Sequence, residues 1–140
     1  MRLRAGQPRP EWFRRVDDLV LAYLALLEHL DLGEVVVVGN SIGGWIAAEL
    51  ALRCSPRIRS IVLLNACGID AAPDQPAIVN PMTLPPADRI VTPGYGRRFA
   101  DSIPTSRFEL IAEAGHFPQI EKLGEVVASI GRFSGPDGTS

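Results

Sequence analysis

A chain of 140 residues, 46% hydrophobic and 21% charged, suits one domain with one core, and this composition excludes disordered and collagen-like classes. Fourteen Lys and Arg against sixteen Asp and Glu leave a net charge of −2, which argues against a nucleic-acid partner. Arg2, Arg4, Arg9, Arg14 and Arg15 read as a solvated face. The chain reaches Pro8 without an apolar secretory core, and its longest apolar run, residues 19–27, is too short to span a bilayer. A cytoplasmic protein without membrane contact is expected.

In chain order, the first periodic segment covers residues 11–30. Phe13, Val16, Val20, Tyr23, Leu24, Leu27 and Leu30 recur at helical spacing, Pro10 suits the first turn, and His29 falls opposite the stripe as a surface residue. Residues 31–33 break the helix. The run Val35, Val36, Val37, Val38 is β-branched without alternation, as in a parallel strand covered on both faces. Residues 42–53 read as a helix and residues 59–65 as a second buried strand, which makes a crossover unit of strand, helix and strand. Residues 68–86 carry Pro73, Pro76, Pro81, Pro85 and Pro86 without periodicity, an unusually long connection. A short helix over residues 94–102 sets Tyr95, Phe99 and Ile103 four apart, and residues 107–111 resemble a third parallel strand. From Pro118, Ile120, Leu123, Val126, Val127, Ile130 and Phe133 share one helical face before a polar tail. Residues 1–133 form a single domain in this reading, with residues 134–140 a disordered tail.

The chemistry gathers at Gly39-Asn40-Ser41-Ile42-Gly43, a G-x-S-x-G pattern lying between a buried strand and a helix. In that setting a sharp, strained turn lifts a serine above the sheet edge, and the glycines Gly39 and Gly43 leave room for the helix to begin at once. Ser41 would be the nucleophile, and the amide of Ile42 at the helix N-terminus would steady a developing oxyanion. Two other readings use the same glycines and fail. Trp45 stands where a phosphate-binding loop needs lysine, and Ser41 takes the place of the second glycine in a dinucleotide fingerprint.

A serine at neutral pH needs a base. His116, in Ala-Gly-His-Phe-Pro just beyond a strand-like segment, is the candidate. The order nucleophile, acid, histidine places an orienting carboxylate between Ser41 and His116, where Asp88 and Asp70 compete. Glu121 lies in the first turn of the last helix, where an acid favours the helix dipole. Cys54 and Cys67 form neither a CxxC pair nor a zinc-spaced set with the histidines, so reduced, packed thiols and no metal are expected.

At these residues the chain resembles the α/β-hydrolase family, in its branch of small serine hydrolases. "VVVVGNSIGGWIAAELALRCSPRIRSIVLLNACGI" is similar to the nucleophile elbow and the next strand, and "ADRIVTPGYGRRFADSIPTSRFELIAEAGHFPQIE" to the acid and histidine region. The resemblance implies Ser41 as nucleophile, Asp88 as acid, His116 as base and Ile42 as one oxyanion donor, with no cofactor and a small acyl or carbonyl substrate. The implied fold class is α/β: a partial α/β-hydrolase fold with a mostly parallel three-stranded sheet flanked by helices.

The chain departs from the family pattern in three places. The strands that precede the first helix in that pattern, and with them the loop supplying a second oxyanion amide, are expected to be absent from it. The strand leading into the acid is reduced to Met82, Thr83 and Leu84, and the helical cap has shrunk to the proline-rich connection. An interior strand without a neighbour leaves a flat apolar edge, so pairing of that edge with another copy of the chain is a further expectation.

Overall fold

A computed structural model of the chain describes residue 11, residues 14–68 and residues 91–134. Helix α1 (Val16–His29) begins later than its periodicity suggests. Its start is fixed by Asp18, whose carboxylate accepts the main-chain amides of Arg14 and Arg15, both at 2.7 Å. Those two bonds, Arg14 first, hold the Asp18 carboxyl below the usual carboxylate range. Val20 is buried, whereas Tyr23 and Leu30 at the rim of the stripe stay exposed, as does His29.

Strands β1 (Val35–Asn40) and β2 (Ile58–Leu64) pair in parallel through the crossover helix α2 (Ile42–Leu52), with Val37 opposite Ile61 and Gly39 opposite Leu63. This is the unit expected from the sequence. Helix α2 packs on both strands and buries Ala47 and Leu50, and α1 packs on α2. The Arg53 guanidinium meets Asp17 at 2.8 Å and ties the end of α2 to the first turn of α1. Covering of β1 on both sides is not achieved: among the described residues it pairs with β2 alone, and Val38 is 45% exposed.

The sheet has two strands among the described residues, not three. Residues 107–111 run beside it without joining a ladder. A cavity of about 820 Å³ is lined by residues of both segments, 58–66 and 105–115, together with part of the helix at residues 93–101. A strand forms only where a neighbour lies within hydrogen-bonding distance. The 107–111 segment is anchored by side chains instead. Arg97 covers the Phe108 ring at 4.7 Å, Arg107 covers the Phe133 ring at 4.8 Å, and Glu109 accepts from Ser129 at 2.9 Å and pairs with Arg132.

Helix α3 (Pro93–Asp101) opens with Thr92, whose hydroxyl accepts the Tyr95 amide at 3.3 Å, and with Pro93 in its first turn. Tyr95 and Phe99 turn inward at the expected four-residue step and pack with Ala66 and Val91 into one core cluster.

The chain's end is two helices rather than one, α4 (Pro118–Glu121) and α5 (Leu123–Ser134). Lys122 leaves helical backbone at φ −135° and ψ 45°. The expected face is met in part: Val126 is buried and Ile130 and Phe133 are half-buried, joined by the buried Ser129, while Ile120, Leu123 and Val127 are 76%, 60% and 57% exposed.

Both cysteines are free thiols, but Cys54 is exposed rather than packed, because it lies just past α2 in left-handed backbone at φ 50°. Among the described residues no helix is long and apolar enough to cross a membrane. Pro10, Phe13, the proline-rich connection from residue 69 onward, and residues 135–140 lie outside the described residues.

Candidate active site

Ser41 sits between the end of β1 and the start of α2 at φ 53° and ψ −118°. A non-glycine residue there is strained by about 1–3 kcal/mol, so surrounding structure must impose the conformation. Main-chain bonds on both sides of the residue do so. The Ser41 amide donates to the Leu64 carbonyl at 2.9 Å, and the Ser41 carbonyl accepts from Gly44 at 2.9 Å and from Trp45 and Cys67, each at 3.3 Å. The elbow is thus bolted to the end of β2 as well as to its own helix.

The two elbow glycines differ in what they do. A Cβ at Gly39 would run into the Gly43 carbonyl, so only hydrogen fits as the chain doubles back. At Gly43 a Cβ would meet nothing within 4 Å, so the expectation of a steric need there is not met. The close approach falls one residue later, at Gly44, where α2 rests against Ala66.

His116 is 7% exposed, and its Nε2 stands 3.0 Å from Ser41 Oγ although the two are 75 residues apart in sequence. That is hydrogen-bond distance between a hydroxyl and an imidazole nitrogen. The Phe117 ring meets the imidazole edge-on at 5.1 Å between centroids. Asp88 and Asp70 both lie outside the described residues. Ile42 is the first residue of α2, and an amide in the first helical turn has no acceptor within the helix.

The loop carrying His116 is fixed through its backbone by three side chains. Asn40 at the end of β1 donates to the His116 carbonyl at 3.2 Å and to the Leu64 carbonyl at 3.0 Å. Asn65, just past β2, donates to the Gly115 carbonyl at 2.9 Å. Glu121 accepts the Gly115 amide at 2.7 Å and the Phe117 amide at 3.2 Å. A Cβ at Gly115 would meet both carboxylate oxygens at 2.9 Å, so the glycine ahead of His116 is what lets the acid approach. No motif in the sequence marks either asparagine. The usable signal was their placement: an amide side chain at the carboxyl end of each of two adjacent parallel strands, where loop backbone needs donors.

Comparison with known proteins agrees with this architecture. Residues 7–85, more than half of the chain, match a family model described as the alpha/beta hydrolase fold, and the match ends before Asp88 and His116. A homoserine O-acetyltransferase from Thermus thermophilus is 37% identical over 65 residues, covering 45% of this chain and 17% of that protein. A 2-hydroxy-6-oxo-2,4-heptadienoate hydrolase from Pseudomonas putida is 37% identical over 54 residues, covering 39% of this chain and 20% of that protein. The chain thus spans a small part of the curated relatives it matches. No solved structure matches it. A strand, a strained serine turn and a crossover helix, within a family match that runs through all three, establish that the chain belongs to the α/β-hydrolase fold family.

Proposed function

We propose that the chain is a serine hydrolase of the esterase type, acting on a small acyl or carbonyl substrate through Ser41, His116 and Asp88. The observation that carries the reading is the 3.0 Å approach of His116 Nε2 to Ser41 Oγ. In the proposed cycle Ser41 Oγ attacks the acyl carbon and its proton passes to His116 Nε2. The bond to the leaving alcohol breaks as that alcohol takes the proton. Water then attacks the acyl-enzyme and gives its proton to Nε2, the ester to Ser41 breaks, and the proton returns to Oγ. Asp88 is the acid that the family resemblance implies, Asp70 being the alternative that the chain order also allows, and the Ile42 amide is one oxyanion donor.

The relatives bear names for two outcomes, an acetyl transfer and a hydrolysis. One acyl-enzyme serves both, with an alcohol or water as the second nucleophile. The free thiols Cys54 and Cys67 fit the reducing cytoplasm. The test is a fluorophosphonate probe, which should label the wild type and not Ser41→Ala. A folded wild type, verified by circular dichroism, that resists the probe would overturn the reading.

A second reading rests on Val38. Among the described residues β1 is paired on one side only, and this apolar side chain is 45% exposed in its middle. A chain silent in catalysis that pairs through this edge with another copy would cover it. Light scattering decides, since a monomer over a wide concentration range removes this reading.

A further inference from the structure

We infer that Glu121 is a positioning residue for His116, holding the imidazole against Ser41 by fixing the main chain on both sides of it. This rests on the reading of His116 as the base. The acid at this position would ordinarily be read as a partner of a helix N-terminus. The geometry is more particular than that. One carboxylate oxygen accepts the amide of the residue before His116 and the other the amide of the residue after it, at 2.7 and 3.2 Å.

The opposite groups of the same loop are held from the sheet. Asn65 takes the Gly115 carbonyl and Asn40 the His116 carbonyl, so amides are gripped from α4 and carbonyls from the strand ends. His116 therefore has little main-chain freedom left, and its ring is placed by backbone direction. Helix α4 has a single turn, in which Pro118 is buried and Ile120 is 76% exposed, so packing holds its first residue and leaves Ile120 in solvent. The Glu121 carboxylate is the side chain of that turn that grips the loop on both sides of His116. Charge-assisted acceptance of two amides is about twice as strong as its neutral counterpart.

Glu121→Gln keeps shape and one acceptor oxygen, but turns an NH₂ donor toward the other amide. Glu121→Ala removes both. The measurement is steady-state hydrolysis of p-nitrophenyl acetate by the wild type, Glu121→Gln, Glu121→Ala and the control Glu125→Gln. A misplaced base costs turnover more than binding, so kcat should fall by roughly tenfold to a hundredfold in Glu121→Ala with KM nearly constant. Glu121→Gln should lie between that variant and the wild type, and Glu125→Gln should match the wild type. Equal kcat in all four overturns the inference.

Nuclear magnetic resonance supplies an arm independent of turnover, and it also serves if Glu121→Ala does not fold. In Glu121→Gln the Gly115 and Phe117 amide protons should move upfield, and the cross-relaxation between the His116 ring and the Ser41 methylene should weaken. If those amides move while that ring contact is unchanged, Glu121 holds backbone only and the inference fails. Absence of probe labelling at wild-type Ser41 would strike the hydrolase reading alone, leaving the ring contact to decide the role of Glu121.

Discussion

Asn40 donates to the main-chain carbonyl of His116 across 3.2 Å, so the residue immediately before Ser41 grips the residue whose ring meets Ser41. The same amide group also reaches the Leu64 carbonyl at the end of β2. One side chain therefore ties the serine turn, the second strand and the histidine loop together. Asn40→Asp keeps the size and replaces a donor by an acceptor that faces two carbonyls. We expect a loss of about 1–3 kcal/mol in urea unfolding, the cost of losing two half-buried hydrogen bonds and setting a carboxylate against their acceptors. Fluorophosphonate labelling of Ser41 should slow by about tenfold or more as His116 drifts. Labelling at the wild-type rate would show that Asn40 does not hold the histidine.

The elbow glycines separate by steric environment. Gly39→Ala puts a methyl group into the Gly43 carbonyl and cannot be absorbed without moving α2 away from β1. It should cost about 3 kcal/mol or more, in the range of severe backbone and packing conflicts. Gly43→Ala meets open space inside a helix and should be neutral or stabilising by up to about 1 kcal/mol, as alanine is the better helix former. Urea midpoints of the two variants check the pair, and equal destabilisation would contradict the geometry.

How much of this could be read from the sequence follows the range of the interactions involved. The serine turn was legible because strand, turn and helix are adjacent in sequence and each has its own pattern. His116 was legible because Gly-His-Phe-Pro marks a loop after an apolar run. Glu121 was seen only as a helix-start acid, since its partners are backbone amides and no residue type announces them. The strand expected at residues 107–111 failed for a related reason: propensity describes the segment, whereas a strand depends on a hydrogen-bonded neighbour, and among the described residues this segment joins no ladder. The single helix expected from Pro118 divides at Lys122, where one residue leaves helical backbone, and Val126, Ile130 and Phe133 of the expected face turn inward while Ile120 and Leu123 beside the break stay exposed. Asp70 and Asp88 lie outside the described residues and both satisfy the chain order, so the family resemblance is the basis for choosing Asp88.

Strain at Ser41 gives a prediction with opposite signs for stability and chemistry. Ser41→Gly removes the steric conflict of a side chain at φ 53° and should be more stable than Ser41→Ala by about 1 kcal/mol or more. Both should lose probe labelling entirely. Thermal unfolding of the three proteins checks the order, and a glycine variant less stable than the alanine variant would argue against strain at the elbow.

Asp18 carries the acid dependence of α1. Its carboxyl, stabilised as the anion by the Arg14 and Arg15 amides, titrates lower in the folded chain than in the unfolded chain. A depressed folded pKa gives stability that is present above the unfolded value, about 4 for aspartate, and is lost as pH falls through the folded one. Asp18→Asn should therefore flatten the acid limb of the stability profile and change little near neutral pH beyond a small constant loss. Urea midpoints measured through the acid range check this, and an unchanged acid limb would remove Asp18 from the account.

Val38 makes the edge of β1 a test of assembly. A β-branched side chain 45% exposed on a strand that, among the described residues, is paired along one edge favours pairing with another strand, and a charge at the same position opposes it. If copies of the chain pair through this edge, Val38→Lys should shift light scattering from oligomer toward monomer. The exposure of Val38 lets a lysine stem carry its ammonium into water, so the fold should survive by circular dichroism. Val127→Lys is the matched control, because Val127 is also exposed but belongs to α5 rather than to the sheet. Loss of the oligomer in Val38→Lys alone places the contact on the strand edge. Equal loss in both variants assigns self-association to general surface hydrophobicity, and persistence in Val38→Lys removes the edge from the interface.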